Sequence, residues 1–236
     1  MENISVIVFI LFISATAAAV WLFFKAACYS RPLIVIISAW IILQSILGVR
    51  EFYTNWNAVP PRLLFLVAPP VIAIAAVMLT KSGHQFAAGL QMKTLTLLHT
   101  IRIPVEITLY YLSVAGIVPE SITFEGSNFD IISGISAPIV YYLVFVEKKM
   151  SEKMLLFWNI ICLLLLLNVV VTALLSAKTP FQQFAFDRPN IGITFFPFIF
   201  LPGIIVPVVL LSHLVSIRKL LLNLRQKKVT ALIQNT

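Results

Sequence analysis

Long apolar runs separated by short polar joints dominate this chain. Seven runs stand out, at approximately 3–24, 32–49, 62–80, 94–115, 131–147, 154–177 and 192–217, built mainly of Leu, Ile, Val, Phe and Ala. A helix needs about 20 apolar residues to cross a bilayer, and runs of this length exceed what a core strand uses. The pattern therefore predicts an all-α polytopic membrane protein, a bundle of seven transmembrane helices. Segment 82–93 is too short and too polar to cross and reads as a connection or an interfacial turn of helix. After residue 217, Leu alternates with Lys or Arg, so the last helix is expected to run on into water. Residues 1–217 then form one transmembrane domain and 218–236 a basic cytoplasmic tail. The first run resembles a secretory signal, but its early charge is Glu2 and it stays apolar to Phe24, as a retained span does.

Orientation follows from basic residues, which gather on the cytoplasmic side. With the N-terminus outside, the inner joints hold Lys25, Arg31, Lys81, Lys93, Lys148, Lys149 and Lys153, and the tail holds Arg218, Lys219, Arg225, Lys227 and Lys228. The outer joints hold only Arg50, Arg62, Lys178 and Arg188, together with most of the acids. The expected topology is N-terminus outside, C-terminus cytoplasmic, in the cell membrane. The net charge of +8 then reflects topology and attraction to anionic inner-leaflet lipids, above all by the tail, and not nucleic-acid binding. Hydrophobic residues are 60% of the chain and charged residues 11%, which leaves no soluble catalytic domain. Cys28 falls in a basic joint and Cys162 within an apolar run, so no disulfide is expected.

The fourth run departs from the rest. His99, Arg102, Glu106, Tyr110 and Ser113 fall within about 80° of one helix face at 100° per residue. A charged residue at a membrane-helix centre costs roughly 2.5–3.5 kcal/mol, so a compensating role is expected. Arg102 and Glu106 are four residues apart and can pair along the helix. In a binding role, Arg102 offers a planar fork to an anion, Glu106 balances charge or carries a proton, and Tyr110 and Ser113 extend the path outward with Tyr110 as gate.

His99 and His213 lie at matched depth, about 8 Å from the inner boundary at 1.5 Å per residue. They could hold a haem, or a metal with His84. Asn159 and Asn168 point to opposite faces of one helix, and at least one of them is expected to bond between helices, as is Gln44. Pro69, Pro70, Pro104, Pro138, Pro202 and Pro207 fall at related depths, and kinks there would open a shared cavity. Tyr53, Trp56, Phe181, Phe184 and Phe186 read as an aromatic belt. Glu125, Asn128 and Asp130 in the acidic loop 117–130 do not follow EF-hand spacing.

No HExxH, GxSxG, P-loop or GxGxxG motif occurs. The expected function is binding or translocation of a small polar or anionic solute, or of protons, through an outward-facing polar cavity. One alternative is a haem- or metal-binding redox protein using His99 and His213. Another is a non-catalytic subunit whose polar stripe meets a second copy or a partner.

Overall fold

The computed structural model describes residues 4–234. Glu2, the start of the first predicted span at Asn3, and the tail's Asn235 and Thr236 lie outside the described residues. The chain is all-α. Its helices are α1 (Val6–Ala26), α2 (Arg31–Val49), α3 (Leu64–Leu79), α4 (Lys81–Gly89), α5 (Met92–Leu98), α6 (Arg102–Val114), α7 (Ile131–Tyr141), α8 (Glu152–Leu175) and α9 (Val206–Gln234). Helices α1, α2, α8 and the continuous run Leu201–Gln234 are long and apolar enough to cross a membrane. The pair α3 and α4, bent by 90°, makes a fifth if taken as one span.

Local chemistry sets the boundaries. The Ser5 hydroxyl accepts from the Ile7 amide at the start of α1, and Ser151 accepts from Met154 at the start of α8. Thr80 does the same for Gly83 at the sharp corner between α3 and α4. That corner admits only glycine at position 83, because a Cβ would lie 2.5 Å from the Val77 backbone. Helix α4 thus supplies a turn of helix within segment 82–93.

The fourth predicted span is broken. Pro104 has no N–H for the Thr100 carbonyl, and the chain tightens into a 3₁₀ turn at His99–Ile101 between α5 and α6. The last span also differs from expectation, since the long helix begins at Leu201 with a π turn, Leu201–Ile205, that contains Pro202. Pro207 leaves the Gly203 carbonyl without its helical donor, and Trp40 Nε1 of α2 fills that position at 2.9 Å. An unpaired buried carbonyl would cost about 1–3 kcal/mol, so this single bond ties peripheral α2 to the kink.

The loop 117–130 is the largest surprise. Helix α6 stops at Gly116, whose φ of +76° ends the helix by turning the chain in the left-handed region. The loop then folds back into the bundle, where Val118, Ile122, Thr123, Asn128 and Asp130 are buried. Gly126 permits the fold, since a Cβ there would lie 2.4 Å from the Glu120 carbonyl oxygen. Asn168 Nδ2 of α8 donates to the Ser127 carbonyl at 2.9 Å and holds the loop from the other side. As a result α7 starts beside Arg102, with Gly134 packed on Arg102 and Ile103.

The apolar core centres on Phe12, Leu66, Leu95, Leu98, Ile199 and Val215. Helix α3 contributes little to it, burying only Leu66 and Ile74. Of the expected aromatic belt, Phe181, Phe184 and Phe186 are exposed, whereas Tyr53 is buried and donates its hydroxyl to Gln44. Burial pushes that hydroxyl's pKa up to about 12. Lys178 sits over the Trp56 ring, 4.3 Å from its centroid, and joins the loop after α2 to the loop after α8.

Candidate functional site

The polar stripe of the fourth span is built into a buried network drawn from four elements. Arg102, at the first position of α6, donates through Nη1 to Asp130 Oδ1 at 2.5 Å and to the Cys162 carbonyl of α8 at 3.4 Å. Its Nη2 lies 2.8 Å from His213 Nε2 of α9. A guanidinium only donates, so this His213 nitrogen accepts and carries no proton. The proton is then on Nδ1, which donates to Asn159 Oδ1 at 3.0 Å. Asn159 Nδ2 donates to the Leu155 carbonyl at 2.9 Å, and this fixes the amide's orientation. The chain of bonds therefore runs from α8 through a neutral His213 to Arg102 and ends on Asp130.

Glu106, one turn further along α6, belongs to a second branch. Asn128 Nδ2 donates to Glu106 Oε2 at 2.7 Å, while Asn128 Oδ1 accepts from the Asp130 amide at 2.9 Å. Asn128 thus holds the Glu106 carboxylate and the Asp130 backbone in place from the folded-back loop. Arg102, Glu106, Asn128, Asp130, Asn159 and His213 are all buried.

Several expectations are corrected here. Arg102 and Glu106 do not pair; Arg102 takes Asp130 and Glu106 takes Asn128, because the buried loop brings both partners closer than helical spacing does. The Arg102–Glu106 site and the histidine site are also not separate. Side chains at i and i+3 eclipse in a 3₁₀ turn, so His99 and Arg102 point the same way, and both meet His213.

The His99 and His213 rings stack face to face, with centroids 3.9 Å apart and planes 13° apart. Rings in such contact leave no gap for a haem between them, and their nitrogens do not converge on one point. His84 lies elsewhere, bonded to the Met78 carbonyl at 2.7 Å. Among the described residues no cluster of three or more His, Cys, Asp or Glu side chains offers a metal set. Trp158 lies beside the stack, 5.6 Å from His99 and 6.2 Å from His213, and among the described residues neither His99 nitrogen has a hydrogen-bond partner.

A cavity of about 160 Å³ adjoins the network between α3, α6, α8 and the start of the long last helix. Arg102, Glu106 and Asp130 contribute its charge, and the remaining wall is apolar. Pro202 and Pro207 line it, while Pro69, Pro70, Pro104 and Pro138 do not, so the expected cavity shared by four kinked helices is reduced to kinks in the last span. Tyr110 and Ser113 are also absent from the wall. Tyr110 stacks on Phe124 at 5.2 Å, and the Ser113 carbonyl accepts from Arg188 Nη1 at 3.4 Å. The face of α6 that borders the cavity is Val105, Glu106 and Leu109, so the outward path drawn through Tyr110 does not lead to it. Val71, 49% exposed beside the 67% exposed Ile72, marks its edge on the outer face of α3.

Glu125 is exposed, so it does not join Asn128 and Asp130 as a set of oxygen donors. None of the curated proteins and none of the solved structures matches the chain. Residues 59–221, which include the whole network, match the family described as Domain of unknown function (DUF8737), and the chain belongs to that family.

Proposed function

We propose that this protein binds a small solute, or passes protons, at a membrane-buried site formed by Arg102, Asp130 and Glu106. The observation that carries this reading is the cavity: three buried charged side chains share the wall of an otherwise apolar space. A purely structural ion pair has no need of adjoining open volume, because well-packed apolar neighbours serve it better. Arg102 is already committed to Asp130 and His213, so the part it plays is to organise the carboxylates. The test is native mass spectrometry of protein released from its own membrane. A small-molecule adduct is expected on the natural chain, and its loss is expected in Ala173→Phe, which fills the cavity. Adduct-free protein, or an adduct indifferent to Ala173→Phe, overturns the reading.

The proposed setting is seven membrane crossings with the N-terminus outside. Support comes from α5 and α6, which follow one another across the 3₁₀ turn over 92–114, and from the shorter apolar helix Ile131–Val146. These join α1, α2, the α3–α4 pair, α8 and α9. The distribution of basic residues sets the direction, and exposed Leu221, Leu222 and Val229 beside Arg225, Lys227 and Lys228 suit contact with anionic headgroups. Cys28 is exposed and Cys162 buried, so the natural chain carries its own topology probe. A membrane-impermeant maleimide is expected to label Cys28 only after permeabilisation. It is expected to label Asn55→Cys in intact cells, and the reverse pattern inverts the topology.

A further inference from the structure

The ionisable groups on the cavity wall do not pair off. Arg102 and Asp130 are paired with each other, His213 is held neutral by accepting from Arg102, and Glu106 is a further carboxyl group with no cation of its own. The guanidinium spends both Nη groups on Asp130, Cys162 and His213. Glu106 is left with one amide donor, Asn128, and among the described residues it makes no ion pair. A carboxyl group 2% exposed to solvent, bordering an apolar space and lacking a cation, is complementary to an amine on an apolar body, which takes up the carboxyl proton and gains a charge-assisted bond to the carboxylate.

Size and access agree with that chemistry. Apolar cavities of about 150 Å³ hold a benzene ring, and this one measures about 160 Å³. Its edge at Val71 lies on the outer face of α3, midway along an apolar helix that buries little. A ligand dissolved in the hydrocarbon layer reaches the cavity from the side without crossing an aqueous vestibule.

We propose that the cavity takes a lipophilic amine, entering laterally past α3 and setting its ammonium nitrogen against Glu106 while its apolar body fills the space beside Val105 and Leu109. This deepens the solute-binding reading above and rests on it. It departs from the expectation of an anion anchored on Arg102, although the unpartnered Arg102 Nε makes an anion the natural competitor to test.

The experiment is a thermal-stability titration of the full-length protein in nanodiscs with benzylamine, toluene and benzoate, three probes of similar bulk and different charge. Benzylamine is expected to stabilise the natural chain saturably, and toluene more weakly. In Glu106→Gln, which keeps the shape and the Asn128 contact, the apparent Kd for benzylamine is expected to rise about tenfold, as for loss of a charge-assisted bond, with toluene unaffected. Ala173→Phe is expected to abolish both responses, which separates cavity binding from partition into lipid. Equal effects of toluene and benzylamine on the natural chain, or an amine affinity unchanged by Glu106→Gln, overturn the amine assignment and leave the binding site standing. Preference for benzoate overturns it in favour of Arg102 as anchor. No response to any probe overturns the amine proposal, and together with adduct-free native protein it removes the solute-binding reading as well.

Discussion

Arg102→Leu is expected to destabilise the folded protein by about 3–5 kcal/mol, the usual loss when one member of a buried ion pair is removed. The variant strands Asp130 without its cation and leaves His213 Nε2 without its donor. Asp130→Leu is expected to do comparable damage by leaving the guanidinium uncompensated. The double variant Arg102→Leu with Asp130→Leu is expected to recover most of the loss, because two buried charges are then exchanged for apolar volume. What it does not recover is the acceptor on His213, worth about 1–3 kcal/mol. Denaturant titrations of the three variants in one detergent close the cycle. Additive losses would mean that Arg102 and Asp130 act independently, which contradicts their 2.5 Å contact.

Gly126→Ala is expected to be the most damaging small substitution in the loops between helices. The added Cβ would lie 2.4 Å from the Glu120 carbonyl oxygen and 2.7 Å from Ser121 Cα, both of them backbone. Nothing there can swing aside, so the 117–130 fold must open. A loss of about 1–3 kcal/mol is expected from the overpacking. Because Asn128 and Asp130 ride on the same loop, benzylamine stabilisation should fail too, although Gly126 does not border the cavity. Gly89→Ala is the matched control: its Cβ would meet nothing within 4 Å, and its effect should stay within about 0.5 kcal/mol. Hydrogen exchange across 117–130 reads the difference, and protection unchanged in Gly126→Ala would refute the proposed role of the glycine.

The sequence makes the helices legible because each apolar run is long and its neighbours are polar. It also marks Arg102, Glu106, His99 and His213 as the groups that need explaining, since ionisable residues among Leu and Ile have few innocuous uses. The partners escape it for physical reasons. Spacing of i, i+4 permits an Arg102–Glu106 pair but does not compete it against groups elsewhere, and Asp130, 28 residues away, wins by geometry. Loop 117–130 reads as an outer acidic joint because its composition is polar; nothing local says that Asn128 and Asp130 turn inward.

The available signal is modest: Asp130 directly precedes an apolar run, so its carboxylate lies at the very edge of a predicted span. At least one of Asn159 and Asn168 is expected to bond between helices, and Asn159 does so with His213. A uniform 100° per residue puts His99 and Arg102 on one face but about 60° apart, and the 3₁₀ turn brings them into line. Pro104 is the residue that gives the turn away, but only to a reader who asks where the Thr100 carbonyl goes.

The inward fold of 117–130 has one more effect, felt by the lipid. Because the loop occupies the outer part of its path, the helical stretch Ile131–Val146 is only about 24 Å long at 1.5 Å per residue, against a hydrocarbon layer of about 30 Å. Ile132, Ile135, Ile139, Tyr142 and Val146 form its exposed stripe, so on the topology proposed here this face meets acyl chains directly. The surrounding bilayer must thin along that flank, at a fraction of a kcal/mol per ångström of mismatch. Membrane thickness thereby becomes a variable of the protein's own energetics, with short-chain lipids gathering at one side of the bundle and thicker bilayers disfavouring it.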